Sequence, residues 1–245
     1  MKLWKSWVIA SKDFSIFRKK KSVIYSVIII PLLMSIILPF IISSSGLKSG
    51  SITIGEFTAL LNAFSFFFVI LAASLTTVIA SYSLLGEKVE KSIEPLLATP
   101  TTDEEILLGK SFAAFLPPIA SIYVGLVIFM VLIDKLTYSS LGYFYYPNWN
   151  IAIIILLVAP LAAILSVELG VILSSRVNDV RAAQQLGQLV IIPFFGIYIL
   201  GEIGYISLGI NSMLIISLIM LVIDVILFYI STITFRREEI ITKWK

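Results

Sequence analysis

Charged residues in this chain are separated by long stretches that contain none. Ser22 to Leu47 is free of charge over 26 residues, Phe57 to Gly86 over 30, Ser111 to Ile133 over 23, and Leu136 to Val167 over 32. Ala182 to Gly201 adds 20 more, and from Ile203 to Phe235 the only charge is Asp224. A helix needs about 20 apolar residues to cross roughly 30 Å of hydrocarbon. Each stretch holds one such helix and none comfortably holds two. The pattern predicts an all-α membrane protein with six transmembrane helices, at about 22–43, 58–85, 111–134, 151–174, 182–200 and 208–234.

The basic residues orient the spans. With six spans both termini lie on one side. That side collects sixteen of the eighteen lysines and arginines, and only Lys48 and Lys135 fall on the other. Positive loops stay in the cytoplasm, so this split predicts cytoplasmic termini. Tyr138, Tyr143, Phe144, Tyr145, Tyr146 and Trp149 gather at the opposite face, where amphipathic rings favour the membrane interface.

Composition excludes whole classes of function. The chain is 245 residues long, 59% hydrophobic and 13% charged, about half the charge of an average soluble domain. It has no cysteine and no histidine, which rules out disulfides, thiolate nucleophiles, imidazole bases and the usual zinc sites. An intramembrane enzyme would have to work with carboxylates alone. Gly109-Lys110-Ser111 imitates the end of a phosphate-binding loop, but the glycine required five positions earlier is Glu104, whose charge would repel phosphate. The chain is therefore not expected to hydrolyse ATP or to bind a cofactor itself, and nucleic acid is not an expected partner.

Two segments on the basic side carry more information than anchoring requires. Residues 1–21 read as an interfacial elbow helix, with Leu3, Trp7, Ala10, Phe14 and Phe17 at spacings of three or four and Lys2, Lys5, Lys12, Asp13 and Arg18 between them. Trp4 and Trp7 suit a membrane surface. The stretch does not read as a cleavable signal, because charges run through it. The longest polar segment is 86–110. Glu87 with Lys91, and Glu90 with Glu94, extend span two as a charged helix that Pro95 and Pro100 limit. Thr101 with Glu104, or Thr102 with Glu105, can then form a capping box, and Asp103, Glu104 and Glu105 in the first turn with Lys110 at the far end suit the helix dipole. This predicts a short, capped helix between spans two and three.

The run Glu87 to Pro100, followed by Glu105-Ile106-Leu107-Leu108-Gly109-Lys110, resembles the signature of ABC-2-type transporter permeases. Ser92, Glu94, Leu96, Leu97, Thr99, Pro100, Glu105, Leu107, Gly109 and Lys110 carry the match, while Lys91 stands where a glycine is usual and Pro95 is atypical. The resemblance extends to Ile9–Phe14 and to the loop from Ser174 to Gln185. It implies a dimer of six-span units, homo- or heteromeric, in the plasma membrane, each docking a cytoplasmic ATP-binding-cassette ATPase that binds the ATP and magnesium. It implies that the 86–110 loop carries the coupling helix and that the elbow helix (Trp4, Trp7, Lys12, Asp13, Phe14) braces the contact. The ATPase-coupling candidates are Glu87, Glu90, Glu94, Thr101, Thr102, Asp103, Glu104, Glu105 and Lys110. Export is the direction implied.

Two acids fall inside spans: Glu168, eight residues before Arg176, and Asp224, twelve before Arg236. Intramembrane carboxylates are costly and default to functional candidates. An interfacial pair of Glu168 with Arg176 or Arg181, and hydrogen bonding of Asp224 across helices, are the plainer alternatives. Asn62, Phe64, Phe67 and Phe68 on span two could line a pathway at a dimer seam, or simply pack against other helices and lipid. Residues 193–210, with Pro193, Gly196, Gly201, Gly204 and Gly209, read as poor continuous helix, leaving either a surface position for Glu202 or a re-entrant segment. Two other functions stay open from the residues alone: an ion-coupled carrier using Asp224, and a membrane scaffold that transports nothing.

Overall fold

The structure is a computed structural model that describes residues 3–44, 53–89, 99, 101–177 and 179–234. Among these residues the only regular secondary structure is helix, without a strand. The helices are α1 (Leu3–Lys19), α2 (Lys21–Ser44), α3 (Ile54–Val89), α4 (Asp103–Leu141), α5 (Trp149–Ile153), α6 (Ala159–Arg176), α7 (Val180–Gly187), α8 (Ile191–Glu202) and α9 (Ile210–Thr234). A π-helical turn, Ile154–Val158, joins α5 to α6, and a 3₁₀ turn, Gln188–Val190, joins α7 to α8. Six helical rods are long and apolar enough to cross a membrane, among the described residues. They correspond one for one to the six predicted spans.

Span two, α3, is the hub. It packs against spans one, three, four and five, and its membrane stretch is 78% buried, against 22% for spans five and six. Small residues let neighbours approach closely, the usual basis of helix association where lipid is as apolar as protein. A Cβ on Gly170 of span four would stand 2.7 Å from the Cβ of Ala80, and one on Gly187 of span five 2.5 Å from Cγ2 of Thr77. Polar groups add cross-links. Ser74 Oγ donates to Gln188 Oε1 at 3.1 Å while Gln188 Nε2 donates back to the Ser74 carbonyl at 3.1 Å. Ser121 Oγ donates to the Val27 carbonyl at 2.7 Å, tying span three to span one.

Span four widens into a π turn before a proline and is repaired from a neighbour. Pro160 has no N–H to give to the turn before it, so a carbonyl is left bare. The helix widens to the π register, with Ala159 N–H bonding the Ile154 carbonyl. In that register the bare acceptor is the carbonyl of Ile155. Tyr123 Oη from span three donates to it at 2.7 Å.

Several expectations are corrected. The helix that carries span three begins at Asp103, before the apolar stretch. Asp103–Leu141 is one unbroken 39-residue helix, so the acid-headed turn is the first turn of the helix that continues into span three. No separate short helix stands between spans two and three among the described residues; residues 90–98 and Pro100, including Glu90 and Glu94, lie outside them. Residues 193–202 are helical despite Pro193 and Gly196, because the proline sits near the start of α8, where its missing donor costs little. Phe67 meets Tyr198 ring to ring at 5.9 Å, and Asn150 Nδ2 donates to the Leu208 carbonyl at 3.0 Å. Span five therefore runs the length of the bundle from the Thr77 level to the aromatic end, where Glu202 is exposed.

The aromatic end is also not a plain interfacial belt. Asp134 Oδ1 accepts the backbone N–H groups of Tyr145 and Tyr146 at 2.9 and 3.0 Å, folding the loop inward. Tyr146 is buried at 4% exposure, with Oη 2.7 Å from Ser65 Oγ, and Tyr145 Oη donates to Asn62 Oδ1 at 3.3 Å. Burial pushes the Tyr146 phenol far above its ordinary pKa and the Tyr145 phenol up to about 12. Tyr138, Tyr143, Phe144 and Trp149 stay exposed, as the interfacial reading requires.

Candidate functional site

The N-terminus of α4 is built to be rigid. Thr102 Oγ1 accepts Glu105 N–H at 3.3 Å, and Glu105 Oε2 accepts Thr102 N–H at 3.2 Å. Of the two predicted boxes, Thr102 with Glu105 forms. The pairing turns Glu105 inward. It is 3% exposed, and its Oε2 lies 3.8 Å from Lys5 Nζ on α1. Thr102 and Glu104 are exposed, while Thr101 and Asp103 are half-buried.

Lys110, two turns along the same helix, also faces inward. Its Nζ donates to the Ser83 carbonyl at 2.7 Å and meets Asp13 Oδ2 at 3.4 Å. Ser83 Oγ donates to the same Asp13 oxygen at 2.7 Å. All three residues are buried, so one clasp joins α1, the end of span two and the start of span three. Gly109 makes the approach possible: a Cβ there would stand 2.6 Å from the Ser6 carbonyl and 2.8 Å from the Ile9 Cβ. Burying such charges is costly unless each finds its partner, which this geometry supplies.

The clasp sets which face of α1 is buried. Its buried residues are Ser6, Ile9, Ala10, Asp13 and Phe17. Leu3, Trp4 and Trp7 are exposed at 66%, 66% and 56%, with Trp7 and Phe14 edge to face at 6.2 Å. Lys12 is exposed. The polar clasp thus points into the protein and the tryptophans point away. Glu105, Lys110 and Asp13, expected to meet or brace a partner directly, are engaged within the chain. Glu87 lies on the last turn of α3, but its side chain is outside the described residues, as are Glu90 and Glu94. Sequence reasoning missed Ser83, a serine in an apolar span that carries no signal of its own.

Span two's aromatic stripe divides. Phe68 is fully buried against Phe129, ring centroids 5.3 Å apart, so it walls no open pathway in this protomer. Phe64 and Phe67 are half-buried, and Asn62 is held by Tyr145.

Glu168 and Asp224, 56 positions apart, come together where spans four and six pack. Each is 6% exposed, and the two lie close enough to interact electrostatically. Glu168 Oε2 and both Asp224 carboxylate oxygens have no hydrogen-bond partner among the described residues. Arg181 is exposed at the start of α7, and the side chain of Arg176 lies outside the described residues. Among the described residues, no three acids cluster in a way that could hold a metal ion.

Six apolar rods around a Phe-rich hub, with an N-terminal helix clasped across the Glu-Ile-Leu-Leu-Gly-Lys turn, set the frame for comparison. The profile of the ABC-2 type transporter family matches residues 5–200. This chain belongs to that family. No curated protein matches it significantly. The matched region holds most of α1 and nearly all of spans one to five, and span six follows it. The protein is accordingly a multi-pass membrane protein and a transporter permease of the ABC type, a membrane component rather than a catalytic one. Within the ABC-2 pattern, the Gly109-Lys110 pair has a structural explanation: a glycine that admits α1 and a lysine that holds it.

Proposed function

We propose that this chain is the permease subunit of an ATP-driven exporter. It works as a dimer, homo- or heteromeric, in the plasma membrane with both termini cytoplasmic. Each copy is driven by a separate cytoplasmic ATPase, which binds the ATP and magnesium and docks on the 86–110 segment. The observation that carries this reading is the continuity of α4. Its exposed first turn, Thr102 to Glu104, belongs to the same 39-residue helix as span three, so a push on that turn moves a membrane rod directly. The Lys5–Glu105 and Asp13–Lys110 contacts make α1 move with it. Acids at an exposed helix N-terminus suit a basic cleft in the partner. The sixteen-to-two distribution of basic residues supports the orientation.

The test reverses charge only where it is exposed or half-exposed. Asp103→Lys with Glu104→Lys leaves Thr102, Glu105 and Lys110 in place, so the helix still caps and the clasp still forms. In the purified complex with its ATPase, the double variant is expected to lose co-purification or to fall about tenfold in cargo-dependent ATP turnover, the equivalent of one charge-assisted contact. A complex that assembles and exports at the native rate with both charges reversed would overturn the assignment of this turn.

A further inference from the structure

A cavity of about 220 Å³ opens between spans three, four and six. Its walls are almost wholly apolar, with Leu108, Phe112, Phe115, Ile164 and Phe228 the main surfaces. Phe112, Ile164 and Phe228 are 41%, 36% and 47% exposed, so the cavity has a mouth on the outer surface of the bundle. Ser111 and Ser231 edge it, and Glu168 projects into its lining. Glu168 is only 6% exposed, and its Oε2 has no partner among the described residues. Asp224, close enough to interact with Glu168, lies on the span that supplies Phe228 and Ser231, one and two turns from them. Among the described residues, no cation pairs with either carboxylate. Lys110, the described cation nearest in sequence to the lining of span three, is committed to Asp13 and the Ser83 carbonyl.

We propose that this cavity binds the ammonium head of an amphiphile, with the head on Glu168 and the first part of the chain against Phe112, Phe115 and Phe228. An apolar slot with one buried acid at its wall selects for that combination. A neutral lipid gains nothing at Glu168. An anionic head meets no cation among the described residues of the lining. A small hydrated cation has no ring of oxygens to replace its water shell. A charge-assisted N–H···O bond in a dry site supplies the attraction. A volume of 220 Å³ holds a head and a few methylenes, leaving the remaining chain to run out through the mouth. The ammonium can belong to a free long-chain amine or to an aminolipid of the bilayer.

The binding test uses the permease alone in nanodiscs, so it is independent of the ATPase reading. The probe is dodecylamine carrying a mid-chain diazirine, with the matched dodecanol as control, and sites are mapped by mass spectrometry. The amine is expected to label the peptides containing Phe112, Phe115 and Phe228 saturably, about tenfold more than the alcohol, the discrimination of one hydrogen bond to a charged group. Glu168→Gln is expected to remove the difference. Phosphatidylcholine discs with and without phosphatidylethanolamine separate the two sources: competition by the aminolipid assigns the site to bilayer lipid, and its absence to a free amine. Equal labelling by amine and alcohol, or unchanged preference in Glu168→Gln, would overturn the proposal. If Glu168→Gln is not monodisperse, Ser231→Phe fills the cavity without touching the acid, and labelling that persists there overturns it equally.

Discussion

Lys110 and Asp13 stand 97 positions apart in the chain and meet at 3.4 Å, with side chains only 2% and 3% exposed. The Ser83 carbonyl and hydroxyl complete the cluster. A pair this buried is held by mutual dependence: each charge is tolerable because the other is present.

That dependence is measurable. Lys110→Met or Asp13→Leu alone strands one buried charge and is expected to destabilise the protein by about 3–5 kcal/mol. The double variant Lys110→Met with Asp13→Leu is expected to recover much of that loss. Unfolding in detergent across all four proteins gives the coupling, and simple additivity would show that the two side chains do not depend on each other.

Gly109 carries the steric half of the same contact. Gly109→Val pushes a side chain into the Ser6 carbonyl and Ile9, and is expected to cost about 1–3 kcal/mol as α1 is displaced. Gly196→Ala is the control. Nothing lies within 4 Å of its new Cβ, and replacing a helical glycine is expected to stabilise by about 1 kcal/mol. Limited proteolysis of α1 tracks the first variant and should not change in the second.

The π-helical turn of span four depends on a hydroxyl from span three. Tyr123→Phe keeps the ring and leaves the Ile155 carbonyl without its donor, at an expected cost of about 1–3 kcal/mol. Hydrogen exchange at amides 154–159 should quicken, while exchange in span six stays unchanged.

The aromatic end should be alkali-sensitive. Burial raises the pKa of both Tyr145 and Tyr146 above the ordinary value of 10.0, so the folded state favours the neutral phenols. Their contribution is complete below pH 10 and is lost as pH climbs past 10 towards 12 and beyond. Tyr146→Phe, which cannot ionise, is expected to flatten that fall. A thermal-unfolding series from pH 9 to 11.5 checks it; a variant with the native slope would remove Tyr146 as the cause.

Much of this was legible without coordinates. The capping box at Thr102 and Glu105, the extension of span two beyond residue 86, and the cluster of motif residues around Gly109-Lys110 all follow from local chemistry, which acts within four residues. The faces were not legible. Asp13 reads as part of the polar face of α1 and is buried, while Trp7, which suits a membrane surface, is exposed. Tyr146 was read as an interfacial ring and is a core residue; Lys110 as a surface cation and is a clasp.

The sequence by itself determined the number, order and approximate limits of the spans, because a backbone in hydrocarbon must satisfy its own hydrogen bonds and apolar length then dictates a helix. It could not determine how each rod is turned about its axis. In water a polar stripe marks the outside, but in a bilayer the outside is as apolar as the core, and the pattern loses its direction. Only tertiary structure decided that Asp13 meets Lys110 through a gap left by Gly109, that Tyr123 repairs span four, and that Glu168 and Asp224 share one site. Each is a contact between residues on different rods, fixed by small residues and scarce polar groups rather than by the period of the chain.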